Sequence, residues 1–342
     1  MRFSPLEAPM NSIAVRGPRI KIPSEQSESA YHCITTTVNK EHLFDDVAKE
    51  VLRRQLWQVA DYCGVRIVTY GILVNHFHIL VRVPQKVFVN DAELLRRYHV
   101  LYPKATAYQI ARLDVIQKDL AVNGEAAVAW RRRQLALMGD VSQFMKLLKQ
   151  RFSIWFNRTH RRIGTLWSER FKSVLVEANE RVLQSMAAYI DLNCVRAGLA
   201  ADPIEYRFCG YAEAVAGNKL AQEGLQSIAA TVSWSAAQAQ YREVIFGTGA
   251  GAREHAAVIP LEEYKRVLAE GGSLPIATIL RCRVRYFTDG AVLGSREFVN
   301  VQLERYRQKA GACPRTEARS LAAGVEWGDL MTMRALRRDA LG

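Results

Sequence analysis

No apolar run in this sequence approaches the ~20 residues of a membrane-spanning helix, so no membrane partner is expected. Met1–Pro23 carries basic residues but no apolar block of signal-peptide length, which points away from secretion and towards the cytoplasm. There is no CxxC pair: Cys33, Cys63, Cys194, Cys209, Cys282 and Cys313 are scattered. That spacing excludes a zinc ribbon or dithiol redox centre and suits reduced thiols. Internal repeats are also missing. Acidic residues are in short supply, 34 against 47 Lys+Arg, giving a net charge of +13 and a pI near 9.6. Core-forming residues are plentiful: 49% of the 342 residues are hydrophobic and 9% aromatic, which excludes wholesale disorder. At roughly 100–200 residues per domain the length suggests two domains, or one with long attachments.

The excess charge is concentrated. Between Arg131 and Lys172 stand eleven Lys/Arg and only two acids, Asp140 and Glu169. A polyanion is the natural partner of such a run, because each phosphate contact releases condensed counterions. Phe152, Trp155, Phe156 and Trp167 are interleaved with it. Aromatics so placed serve base stacking, and core packing explains them equally well.

Residues 1–28 contain Pro5, Pro9, Pro18 and Pro23 without apolar period and read as a tail. Tyr31–Val38 is rich in β-branched residues and reads as a strand. Leu43–Cys63 has helical apolar spacing with Gly64 at its end. Val65–Leu73 and His76–Val83 read as a hairpin, and 85–139 as a helical insertion. The stripe Val141, Phe144, Met145, Leu148, Phe152 and Trp155 marks a helix. Phe171–Val176 reads as a strand, and Asn179 as the cap of a helix running to about Val195. This order predicts an α+β domain over 29–203, an antiparallel sheet with packed helices. The Ala/Gly-rich stretch 204–252 reads as a joining segment, and 253–342 as a mainly helical accessory domain. In the latter, Leu261–Leu268 is amphipathic, Gly271–Gly272 a break, and a helix follows Ser295. Arg281, Arg283 and Arg285 alternate as on one face of a strand.

Two motifs carry chemistry. In Asn75-His76-Phe77-His78-Ile79-Leu80-Val81, strand alternation sends His76 and His78 to one side and the apolar residues to the other. Two neutral imidazoles so placed form a two-nitrogen metal site, although an HxH on a strand also arises by chance. In Tyr189-Ile190-Asp191-Leu192-Asn193, Tyr189 and Asn193 stand at i and i+4 on one helix face, with Arg196 continuing the line. A tyrosine is a useful nucleophile towards phosphodiesters because its phenolate is a moderate leaving group, which makes the covalent intermediate reversible. The Asn193 amide oxygen is then a candidate third metal ligand. The ordinary readings are a core tyrosine and a last-turn asparagine.

Together, HFH on a strand and YIDLN on a late helix resemble the HUH-type single-tyrosine transposases, particularly the REP-associated tyrosine transposases of the IS200-like group. The resemblance runs from about Tyr31 to Leu199. It includes CGVRIVTYGILVNHFHILVRVP, FMKLLKQRFSIWFNRTHRRIGTLWSERFKSVLVE and AAYIDLNCVRAGL. It implies a ferredoxin-like or RRM-like antiparallel sheet with helices on one side. It implies Mg²⁺ or Mn²⁺ on His76, His78 and Asn193, with Tyr189 as nucleophile forming a 5′-phosphotyrosine. The implied substrate is single-stranded DNA beside a palindromic, REP-like hairpin. Arg151, Arg158, Arg161, Arg162, Arg170, Lys172 and Arg196 are the expected DNA contacts, and the chain is expected as a monomer or homodimer. Cys194 departs from the family pattern, which has proline after the asparagine. Two alternatives stand beside this reading: a hairpin-binding, non-cutting descendant, and an HxH metallonuclease that uses water.

Overall fold

The computed structural model describes residues 19–247, 266, 276–280, 284–310, 317–321, 327 and 329–333. Strand β1 is Ser29–Thr36, β2 is Arg66–Ile72, β3 is His76–Val83 and β4 is Lys172–Val176. Among the described residues these lie side by side in the order β2-β3-β1-β4 within a seven-stranded sheet. Its first four strands are antiparallel throughout. The α+β class and the antiparallel sheet agree with the sequence reading.

Helix α1, Asp46–Cys63, starts where the Asp45 carboxylate accepts from the Ala48 N–H at 2.7 Å, and stops at Gly64. Helix α5, Val141–Thr159, carries the apolar stripe seen in the sequence, and its Val141, Phe144, Met145, Leu148 and Phe152 are buried. Phe152 of α5 meets Phe44 edge-on at 5.5 Å, and Phe77 of β3 meets Trp167 at 5.8 Å. These contacts place α5 and the segment leading into α1 over the sheet face that carries Phe77.

Helices cover the opposite face as well, which corrects the expectation of helices on one side. Every residue of β1 from Ser29 to Thr35 is buried. A strand buried on both faces needs cover on both. The second layer is α6, Glu180–Asp191, together with three helices from the stretch expected as a joining segment: α8, Gly210–Val215; α9, Lys219–Gln226; and α10, Trp234–Phe246. The 204–252 linker is therefore also corrected. Its small residues serve close packing rather than mobility. A Cβ on Gly210 would come within 2.3 Å of Thr69 Oγ1, and one on Gly224 within 2.4 Å of the Ile67 carbonyl. Tyr211, Leu225 and Tyr241 from the same segment are buried in the core.

The insertion 85–139 is helical as expected, comprising α2, Asp91–Leu101, α3, Ala107–Ala121, and α4, Glu125–Leu135. Among its described residues the C-terminal stretch carries strands as well as helices. It contributes β5, Val292–Gly294, β6, Arg319–Ser320, and β7, Met331–Thr332. Strand β5 pairs parallel to β4, and β7 antiparallel to β5, so this stretch completes the sheet. The physical reason is that β4 would otherwise present an unpaired edge. Of the expected tail, residues 19–28 are described and held down: Arg19 donates to Ser173 Oγ, Ser142 Oγ and the Phe171 carbonyl at 2.8–3.0 Å. The expected helix after Ser295 is Arg296–Ala310. Arg285 precedes the short helix Tyr286–Asp289 and pairs with Asp289 at 3.4 Å, rather than lying on a strand. Leu261–Leu268 (Arg266 apart), Gly271–Gly272, Arg281 and Arg283 lie outside the described residues.

Candidate active site

Cross-strand partners share a sheet face. In the β1–β3 ladder His32 pairs with Leu80, Ile34 with His78 and Thr36 with His76. His32, His76 and His78 therefore all point towards α6. The His76 and His78 rings stand 5.2 Å apart, and His78 stands 6.3 Å from the ring of Tyr189 in α6. Two strands and one helix, remote in sequence, thus bring the HFH and YIDLN motifs together.

Tyr189 is 1% exposed. Phe287 stacks on one side of its ring at 4.8 Å, and the Arg196 guanidinium lies 4.2 Å from its centroid. Arg196 also donates to the carbonyls of Tyr189 and Leu280. It is built into the nucleophile's surroundings, rather than the outer surface on which a DNA contact was expected.

Asn193 opens a separate turn, α7, Asn193–Arg196, and is 8% exposed. Its amide nitrogen donates back to the carbonyls of Tyr189 and Ile190 at 3.4 and 3.1 Å, so a role as ligand falls to Oδ1. Cys194, where proline was expected, donates its thiol to the Asp191 carbonyl at 3.1 Å.

Three residues at the site escaped the sequence reading. His32 is fully buried, with Nδ1 2.7 Å from the Phe287 carbonyl and Nε2 2.8 Å from His78 Nδ1. Burial, first among its causes, pushes the His32 pKa down to about 4 and holds the ring neutral. Its signal in the sequence is alternation: in the strand Tyr31–Val38 it faces the same way as Ile34. Asp191, also fully buried, accepts from Thr69 Oγ1 at 2.8 Å, from the Tyr241 hydroxyl at 2.6 Å and from the Tyr211 N–H at 3.3 Å. Burial pushes its carboxyl up to about 7, against the pull of those bonds. It ties the helix bearing Tyr189 to β2, α8 and α10. Phe287, the third, had no signal, since only the folded chain brings it to the site.

The donor set suits a hard cation modestly. His76 Nδ1 lies 2.6 Å from Asn75 Oδ1, and Asn75 Nδ2 donates to the Lys40 carbonyl at 2.9 Å. The Lys40 bond fixes the amide so that its oxygen faces His76. His76 Nδ1 then carries the proton, and Nε2 the lone pair a cation needs. No group of three or more His, Cys, Asp or Glu suited to a metal occurs among the described residues. An ion would rest on two imidazoles and the Asn193 amide.

The basic run divides. Arg158, Arg161 and Arg170 are exposed. Arg162 pairs with Glu41 at 3.2 Å and Lys172 with Asp289 at 3.4 Å. Arg151 is turned inward, donating to the Leu101 carbonyl at 2.9 Å and lying 5.2 Å from the Tyr102 ring. It fastens the insertion to α5, a contact that competes with any grip on DNA. Trp167 is 8% exposed and donates to Ser153 Oγ at 2.8 Å, so it belongs to the core.

Residues 25–93 match the family model described as "Transposase IS200 like". The resemblance read from the motifs holds over that stretch. No curated protein matches the chain. Among solved structures the chain is similar to one titled "Structure of the REP associates tyrosine transposase bound to a REP hairpin", at 13% identity and a TM-score of 0.34. The match covers 59% of this chain and 86% of that one. No helix among the described residues is long and apolar enough to cross a membrane.

Proposed function

We propose, from the match of residues 25–93 to IS200-like transposases, that this protein cleaves and rejoins single-stranded DNA beside a hairpin through a covalent bond to Tyr189. The observation that carries this reading is the convergence of His76 and His78 from β3 with Tyr189 from α6, at ring separations of 5.2 and 6.3 Å. Scattered core residues have no reason to combine two ligand-type imidazoles with a phenol.

His76, His78 and Asn193 would hold a Mg²⁺ or Mn²⁺ ion, which when bound neutralises charge on a phosphate. The chain's own residues do the rest. Phe287 and Arg196 hold the Tyr189 ring in one plane. The phenolic oxygen attacks phosphorus in line and loses its proton. A phosphorus–oxygen bond to tyrosine forms, the bond to the 3′ oxygen breaks, and that oxygen takes up a proton as a free 3′-OH. A 3′-OH from another strand reverses the step and releases Tyr189, with no external energy source. Arg158, exposed in the last turn of α5, and Arg161 and Arg170, exposed between α5 and β4, are suited to track the backbone of the flanking strand.

The test is incubation with single-stranded DNA carrying a hairpin and its flank, followed by denaturing electrophoresis. A protein–DNA adduct that survives SDS is the expected result. Cleavage without an adduct would mean that water is the nucleophile. The non-cutting reading draws on one observation, the near-complete burial of Tyr189. It would be upheld by hairpin binding with neither cleavage nor adduct.

A further inference from the structure

The helical insertion encloses a cleft of about 560 Å³ that the chemistry at Tyr189 does not use. That volume falls within the range of small-ligand sites, roughly 300–1,000 Å³. The walls come from α2, α3 and α4, with Tyr62 of α1 and Leu147 of α5 added. The ring of Tyr98 lies 4.8 Å from that of Tyr102 and 5.9 Å from that of Trp130, so three rings make one aromatic wall. Tyr108 lines the same cleft from the first turn of α3 and is 73% exposed, a large ring left without cover. Arg112 stands one turn after Tyr108, and Arg133 one turn after Trp130, so each cation shares a helix face with an aromatic ring. Both arginines are exposed, and among the described residues neither is in an ion pair. Arg131, on the same helix as Arg133, is by contrast held by Asp91 at 2.6 Å. Among the described residues no acid lines the cleft. The Tyr62 hydroxyl donates to Gln134 Oε1 at 2.7 Å, which leaves the N–H donors of that amide to a ligand.

We propose that this cleft binds a single nucleotide, with its base against Tyr98, Trp130 and Tyr108 and its phosphate on Arg112 and Arg133. Every base has a π-face, so an aromatic wall holds it whatever its identity. The arginine fork matches phosphate oxygens, and the pairing is strongest where no carboxylate competes. The Gln134 donors suit a carbonyl oxygen or ring nitrogen on the base edge. The nucleotide is unpaired, because a base inside a duplex is covered by its neighbours and cannot enter a cleft. Two sources supply this chemistry: a free deoxynucleotide, or one nucleotide of a bound single strand. The inference stands apart from the reading of Tyr189, since it uses no residue of the HFH or YIDLN motifs.

The experiment uses the full chain and two probes. Isothermal titration with deoxyadenosine 5′-monophosphate, and with deoxyadenosine alone, tests the free source. Single-stranded oligothymidylate carrying one 5-iododeoxyuridine tests the strand source, because on irradiation that base cross-links to an aromatic ring it stacks on. The parent should bind the monophosphate about tenfold more tightly than the nucleoside, or cross-link at Tyr98, Tyr108 or Trp130 as mapped by mass spectrometry. Tyr108→Ala should weaken nucleotide affinity about tenfold or remove most of the cross-link. Arg112→Gln with Arg133→Gln should erase the advantage of the monophosphate and lower the cross-link yield. The three replaced side chains are exposed, so these variants should unfold thermally where the parent does. Binding of the monophosphate assigns the cleft to a free nucleotide, and a cross-link without such binding assigns it to a strand; either supports the site. Absence of both overturns the proposal, as do cross-links only outside the cleft, or binding that survives all three substitutions. None of these readouts needs cleavage, so failure of the Tyr189 reading leaves the result unaffected.

Discussion

Phe287 lies face to face with Tyr189, ring centroids 4.8 Å apart and planes within 14° of parallel. The two residues are nearly a hundred positions apart, and Phe287 lies outside the stretch matched by the family model. Arg196 completes the clamp from α7. The ring of Tyr189 is therefore held by its face, while its chemistry depends on its single oxygen.

Tyr189→Phe separates those two roles. The ring, its stack on Phe287 and its contact with Arg196 survive, so the melting temperature and hairpin affinity should stay close to those of the parent. Adduct formation on hairpin-flank DNA should fall to background. A Phe variant that still forms an SDS-resistant adduct would show that another residue is the nucleophile.

His76→Ala and His78→Ala should each abolish cleavage, and EDTA should do the same to the parent. Loss of the metal should change folding little, because a site of two imidazoles and one amide binds a hard cation weakly; His78→Ala should in addition cost roughly 1–3 kcal/mol, because buried His32 loses its partner. Thermal unfolding and cleavage measured on the same samples separate the effects. Full cleavage in EDTA, after removal of tightly held metal, would refute the metal dependence.

How far the site was legible in the sequence follows from what each residue's signal depends on. His76 and His78 are local: strand alternation alone puts them on one face. Tyr189 follows from helical spacing and its helix formed where expected, whereas that helix ends at Asp191 and Asn193 opens the separate turn α7. His32 was visible as a strand residue but its partner was not, because the β1–β3 register that brings it to His78 is a long-range choice. Phe287 could not be read at all. Gly210 and Gly224 misled, since small residues signal close helix–sheet approach and flexible linkers alike. Helices on both faces were missed for a related reason: the uniform burial of β1 shows only when the second layer is present.

Asp191 offers a test of how α6 is held. Asp191→Ala would leave the hydroxyls of Thr69 and Tyr241 and the N–H of Tyr211 buried without their acceptor. At roughly 1–3 kcal/mol for each buried unsatisfied group, a loss of about 3 kcal/mol or more is expected. Asp191→Asn keeps an acceptor oxygen and should cost clearly less. Urea unfolding at neutral pH measures both. An Ala variant as stable as the parent would mean that water replaces the carboxylate and that α6 is held by packing alone.

The basic run can be tested for its grip on DNA by salt. Each phosphate contact on a single strand contributes about −0.7 to the slope of log affinity against log salt, so four or five contacts give a slope near −3. Arg158 and Arg161 are exposed, whereas Arg162 is already paired with Glu41. Replacing all three by Gln should therefore flatten the slope by about 1.4 through the first two, with Arg162 adding less. Affinity should weaken about equally for all sequences, because backbone contacts carry no base information. Arg151 is the internal contrast. It is held by the Leu101 carbonyl and the Tyr102 ring, so Arg151→Gln should lower stability and leave the slope near the parent value. Lys172, the first residue of β4 and paired with Asp289, should affect cleavage more than binding when changed to Gln. The measurement is hairpin affinity across a salt series for parent, triple variant and Arg151→Gln. An unchanged slope in the triple variant would make the run a solvated face. A slope flattened by Arg151→Gln alone would mean that the DNA path runs under the insertion, between α2 and α5.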